Sequence, residues 1–125
     1  MMLSAFMYSH KLLEHFEHPR NVGEIENPTA LAEMQNPVCG DVLRLSLLVA
    51  EGKVVQARFQ AKGCVPAIAC GSLLTELLTG RTVEQANQFT AGELEKATGR
   101  LPPTSHHASE LAIDVLRAAL KRLPK

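Results

Sequence analysis

The sequence has no tryptophan, and aromatic residues make up only 4% of its 125 positions. So few rings leave nothing from which to build a base-stacking platform for single-stranded nucleic acid. An excess of one charge is also missing: 13 Lys and Arg residues offset 13 Asp and Glu. Without a basic surplus there is no field to draw in a phosphate backbone and no polybasic patch for a membrane surface. No apolar run approaches the ~20 residues that span a bilayer. The opening stretch, MMLSAFMYSHK, lacks a basic region followed by a long apolar core. No signal peptide is therefore read, and a cytoplasmic setting is expected. Cysteine is scarce. Cys39, Cys64 and Cys70 stand at unrelated spacings and form no disulfide framework. Their thiols stay free for metal or sulfur chemistry in a reducing compartment.

What remains is ordinary globular material, 46% hydrophobic and 21% charged, and long enough to bury a core. No repeat or linker divides it, so one domain over residues 1–125 is expected, with residues 1–8 loosely ordered. Ser9 to Glu17 read as a short amphipathic helix, stopped by Pro19 and Gly23 of HPRNVG. A short edge strand is expected near Thr29 to Gln35. Two alternating segments follow. Leu43, Leu45, Leu47 and Val49 form one inward set, and Val55, Ala57, Phe59 and Ala61 the other, with AEGK as the turn between them. This is the pattern of an antiparallel hairpin with one buried face.

From Pro66 the period becomes helical. Ala67, Cys70, Leu73, Leu74, Leu77 and Leu78 make a stripe that ends at Gly80. TVEQ at Thr82 and TAGE at Thr90 are successive capping boxes. A last helix is expected from His106 to Arg122, with Ala108, Leu111, Ala112, Val115 and Ala119 as its apolar row. The expected fold is α+β: a small antiparallel three-stranded sheet with helices packed on one face.

The candidate chemistry begins at NPVCGD. A thiol at Cys39 and a carboxylate at Asp41 stand at a loop-to-strand junction, where ligands are often displayed. Taken alone, the pair reads equally well as a half-buried thiol and a turn acceptor. Cys64 tips the balance, because it follows Gly63 at the end of the second strand of the hairpin. The start of one hairpin strand and the end of its partner lie together, so two sulfurs and an oxygen converge. Cys64 also precedes a helix, whose N-terminal dipole is expected to favour its thiolate. His106 and His107, at the start of the last helix, are candidates for a further ligand. His10, His15 and His18 read as a polar face without a role, and Cys70 as a small core residue.

These segments together resemble a known family, the IscU/NifU-type iron–sulfur cluster assembly scaffolds, from about Ser9 to Lys121. SHKLLEHFEHPRNVG is similar to that family's first helix and turn, CGD to its first ligand cysteine with the neighbouring aspartate, and ARFQAKGCVPAIACGSLLTEL to its second cysteine segment. LPP at Leu101 and HHASELAIDVLRAAL resemble its chaperone-binding loop and last helix.

The resemblance implies an IscU/NifU N-terminal domain fold. It implies a transient [2Fe–2S] cluster or iron, with zinc as a substitute. Sulfur would come from a cysteine desulfurase, with apo iron–sulfur proteins as recipients and no enzymatic activity in the chain itself. It makes Cys39 and Cys64 ligand cysteines and Asp41 a weak oxygen ligand. His107 falls on the family histidine and Ala108 on the third cysteine, so the expected ligand set is Cys39, Asp41, Cys64 and His107. His106 points elsewhere, since neighbouring helical side chains diverge by ~100°. Cys64 is the expected sulfur acceptor. LPPTS replaces the family's LPPVK, with Ser105 in place of lysine, which weighs against recognition by an Hsp70-type chaperone. The alternatives are a zinc-dependent, sulfurtransferase-like persulfide acceptor and a degenerate paralogue acting as a partner-binding module.

Overall fold

The structure is a computed structural model that describes residues 8–99, 101–102 and 105–124. Residues 1–7, where a loosely ordered start is expected, lie outside it, as do Pro103 and Thr104 of the LPPTS stretch. Three antiparallel strands, β1 (Ala30–Gln35), β2 (Val42–Ala50) and β3 (Lys53–Lys62), form one sheet in the order β1-β2-β3. The helices are α1 (His10–Glu17), α2 (Val65–Leu78), α3 (Val83–Asn87), α4 (Ala91–Ala97) and α5 (His106–Lys121). On one face of the sheet α2 lies against β3 and α5 against β1 and β2, and the two helices also touch each other. Leu43, Leu45, Leu47 and Phe59 meet Leu73, Leu74, Leu111 and Leu116 there in a single core. Both capping boxes form, Thr82 with Gln85 and Thr90 with Glu93. No helix among the described residues is long and apolar enough to cross a membrane.

The hairpin departs from simple alternation at one place. Glu51 and Gly52 both have positive φ, 53° and 75°, which suits a two-residue turn. Beyond it Val49 pairs with Val54 but Leu48 pairs with Gln56, leaving Val55 as an extra residue on β3. Such a bulge switches the faces of a strand. Val54 is therefore fully buried, whereas Val55, expected inside, is half exposed.

The expected stripe on α2 turns out to be a helix buried almost all round, with Ala69, Gly71, Ser72 and Thr75 also covered. The sheet lies on one side of it and α1 on the other. At Gly71 a Cβ would stand 2.6 Å from Cδ2 of Phe59, so the missing side chain lets α2 approach the sheet. A glycine inside a helix costs about 1 kcal/mol of propensity, which this close packing offsets. The sheet's other face is crossed by the segment after α1, where the Ile25 N–H donates to Ser46 Oγ at 3.1 Å. That bond accounts for a buried serine in the middle of β2.

His15 corrects the reading of α1. It is not on a polar face but buried, with Nδ1 2.7 Å from Ser72 Oγ and Nε2 3.6 Å from Glu76 Oε1. The Arg20 N–H also donates to Ser72 Oγ, at 2.9 Å, so one hydroxyl ties both α1 and the turn after it to α2. Burial, reinforced by the Arg20 guanidinium, holds the His15 pKa below the ordinary histidine range. An unfolded histidine titrates near ~6.5, so as pH falls below that value the unfolded chain takes up a proton that the folded one refuses. Stability contributed by neutral His15 is therefore present above about pH 6.5 and is lost as pH falls through the lower folded-state value. The urea midpoint of the wild type is expected to drop between pH 7.5 and pH 5.5. In His15→Gln it should start lower and fall less over the same interval. An identical pH slope in both proteins would assign the loss to other groups.

Candidate metal centre

The loop from β1 to β2 is organised by Asn36. Its Oδ1 accepts the N–H groups of Val38 and Cys39 at 2.9 and 3.2 Å, and its carbonyl accepts the Gly40 N–H at 2.7 Å. The Asn36 N–H closes the loop by donating to the Asp41 carbonyl at 2.8 Å. Gly40, at φ 77°, takes the left-handed conformation that turns the chain back toward β2. The loop therefore sends its two candidate side chains to different depths. Cys39 is exposed at the tip, and Asp41 is buried beneath it.

Asp41 has room because Gly63 faces it. The pairing of Val42 with Lys62 carries the register one step further, and a Cβ at Gly63 would overlap the Asp41 carboxylate. Gly63 also sits at φ 153°, a conformation that favours glycine. The next residue, Cys64, is the N-cap of α2 and donates its Sγ–H to Asp41 Oδ2 at 3.0 Å. From the other side, the first turn of α5 brings in His107. One ligand atom each from Cys39, Asp41 and His107 lie within 4.8 Å of one another, the one group of this kind among the described residues. Cys64 is not a member of that close set. It joins the site through its hydrogen bond to Asp41.

A thiol, a carboxylate and an imidazole at this separation suit a thiophilic metal, with a second thiol within reach. Likeness in sequence to known proteins decides the family. A family model described as the NifU-like N terminal domain matches residues 7–125. The chain belongs to the NifU-like N-terminal domain family. It is 41% identical over 114 residues to the iron-sulfur cluster assembly scaffold protein IscU 1 of Archaeoglobus fulgidus, covering 91% of this chain and 74% of that protein. The iron-sulfur cluster assembly scaffold protein IscU of Azotobacter vinelandii is 40% identical over 118 residues, which span 91% of each chain. The fold matches the crystal structure of a putative iron-sulfur cluster assembly scaffold protein for the SUF system from Fervidobacterium islandicum. The TM-score is 0.76 at 22% identity, over 94% of this chain and 98% of that one.

Within this NifU-like domain the helix-dipole expectation for Cys64 is overturned. Burial pushes its thiol up to about 11, the Asp41 carboxylate adds to the rise, and the Ala67 backbone N–H opposes it without offsetting it. A dipole contribution of about 0.3–1 kcal/mol does not compensate for a desolvated thiol facing a carboxylate. Cys70 is fully buried in the core, as its place on the stripe implies, and burial pushes its thiol up to about 12. His106 lies outside the close set, with Nδ1 2.8 Å from Glu95 Oε1. Ala108 is fully buried on the inward row of α5. Leu101 is buried with Leu12 and Ala69, but the LPPTS motif as a whole extends outside the described residues.

Two residues of the site escape a reading of the sequence. Gly63 had a signal, its place directly before Cys64, while Glu95 had none, being one of the 13 acidic residues in the chain. The three thiols should separate sharply in reactivity in the metal-free protein. With its thiol at about 11, Cys64 is roughly one part in a thousand thiolate at pH 8. Iodoacetamide at that pH should modify exposed Cys39 at least ~10 times faster than Cys64, and Cys70 only after unfolding. Asp41→Asn should accelerate Cys64 by removing the carboxylate. Peptide mapping by mass spectrometry measures all three rates, and equal labelling of Cys39 and Cys64 would contradict the geometry.

Proposed function

We propose that this chain is a scaffold on which an iron–sulfur cluster is built and from which it is released, with Cys39, Asp41, Cys64 and His107 as the groups that hold the cargo. The observation that carries this reading is the approach of Cys39, Asp41 and His107 ligand atoms to within 4.8 Å, with the Cys64 thiol one hydrogen bond away. The cargo is a [2Fe–2S] cluster or its iron, and zinc is a substitute that the same ligands accept.

The donor set accounts for both capture and release. Thiolates bind iron firmly, whereas a carboxylate is a harder and more exchangeable ligand. Asp41 is thus the weak point of the ligand set. It is also the base that faces the Cys64 thiol, so loading the cargo draws the Cys64 proton off by way of Asp41 to water. Sulfur comes from a cysteine desulfurase. The exposed Cys39 replaces Cys64 as the favoured acceptor: its thiolate attacks the outer sulfur of the desulfurase persulfide, and the desulfurase cysteine leaves as thiolate. The completed cluster passes to apo iron–sulfur proteins. The chain turns over no substrate of its own.

Anaerobic reconstitution with iron and sulfide, followed by visible absorbance, tests this reading. The wild type should develop a cluster spectrum that decays on addition of an apo-acceptor. Asp41→Ala should retain the spectrum longer. His107→Ala should lower zinc affinity by at least the ~10–100-fold that the loss of an outer-sphere partner alone costs. No spectrum in the wild type, together with unchanged zinc affinity in His107→Ala, would sink the scaffold reading.

A further inference from the structure

We propose that Glu95 is a positioning residue for the metal centre: its carboxylate, reaching from α4, clamps the first turn of α5 and so holds His107 against Cys39 and Asp41. The inference rests on the reading of His107 as a ligand and extends it to the group that aims it.

A helix start exposes N–H groups with no partner inside the helix and is usually fixed by the side chain of its N-cap residue. Ser9, Thr82 and Thr90 do this for α1, α3 and α4. Among the described residues they have no counterpart for α5, whose N-cap, Ser105, makes no side-chain cap bond. A backbone anchor there is the Ser105 N–H, which donates to the Pro102 carbonyl at 2.8 Å. Yet this is the helix end that carries His107.

Glu95 holds the same turn by another route, through two side chains rather than through backbone N–H groups. Its Oε1 lies 2.8 Å from His106 Nδ1, and its Oε2 accepts from Ser109 Oγ at 2.9 Å. Ser109 is fully buried, and its hydroxyl also lies 2.8 Å from the His106 carbonyl, so the turn is held on both sides of His107. A carboxylate at this end of α5 also meets the positive pole of the helix. The His106 side chain is 51% exposed, and a polar contact so open to water adds little to global stability. Its effect falls on geometry, where a ligand displaced by ~1 Å is a ligand lost.

Zinc titration of the full chain against a chromophoric chelator, in five proteins, tests this. The proteins are the wild type, Glu95→Ala, Glu95→Gln, His107→Ala, and Glu95→Ala combined with His107→Ala. Glu95→Ala should bind zinc about 10-fold more weakly than the wild type. Glu95→Gln should recover most of that loss, since its amide oxygen still accepts from His106. In the His107→Ala background Glu95→Ala should add less than about a twofold change, because residues acting through one another are not additive. Equal losses in both backgrounds, or wild-type affinity in Glu95→Ala beside a weakened His107→Ala, would overturn the role of Glu95 alone. Wild-type affinity in His107→Ala would remove the ligand reading and this proposal with it. If Glu95→Ala does not fold, His106→Ala combined with Ser109→Ala removes both donors and has to reproduce the loss; wild-type affinity there overturns the clamp.

Discussion

The Asp41 carboxylate and the Cys64 thiol, 3.0 Å apart, join the two ends of the hairpin at its open mouth, and the site is assembled around that contact. It exists because the register of β2 with β3 runs on from Val42 and Lys62 to bring Asp41 opposite Gly63. A slip of one residue would point Asp41 to the opposite face and pair Cys64 with nothing. A side chain at Gly63 would fill the space the carboxylate occupies. Sheet register, one glycine and one buried acid are therefore a single constraint, and Cys39 and His107 are placed relative to it.

The remaining architecture keeps that corner in place. Leu43 and Leu45 on β2 and Phe59 on β3 sit under α2 and α5, which fixes both helix starts at the same end of the sheet. On the far side of α2, the small cluster of Leu12, Ala69 and Leu101 joins α1 to the segment just before α5. His15, bonded to Ser72, secures α1 there by a polar contact. Two acids thus stand in different settings: Asp41 is buried against the Cys64 thiol, while Glu95 meets the first turn of α5 through His106 and Ser109.

Burial also grades the three thiols. Cys39 stands in solvent, Cys64 is partly covered and held as a thiol by burial and by its carboxylate neighbour, and Cys70 is sealed in the core. A scaffold that receives sulfur and later surrenders its cargo has use for an accessible thiol beside one whose ligation depends on a nearby proton acceptor. On the proposed ligand set, a carboxylate makes the whole more exchangeable than an all-thiolate site.

Much of this was legible in the residues themselves. Alternation in Leu43 to Leu47, the helical stripe ending at Gly80 and the boxes at Thr82 and Thr90 are local patterns, and local periodicity and capping chemistry write them directly into sequence. The meeting of Asp41 with Cys64 also followed, because a tight hairpin leaves the two strand ends only one place to meet, whereas the close set around Cys39 takes in His107 and not Cys64. Other features depended on partners distant in the chain. The bulge that exchanges Val54 for Val55 is a property of the pair of strands, and the burial of His15 is decided by Ser72 on another helix. The raised thiol at Cys64 reverses what its helix-start position implies, because the desolvation and the carboxylate come from the tertiary setting. Periodicity and turn chemistry act between near neighbours and can be read along one dimension. Desolvation and long-range hydrogen bonds arise only when α1, α2, α4 and α5 close on the sheet, and they settled which thiol is accessible and which histidine is aimed at the site.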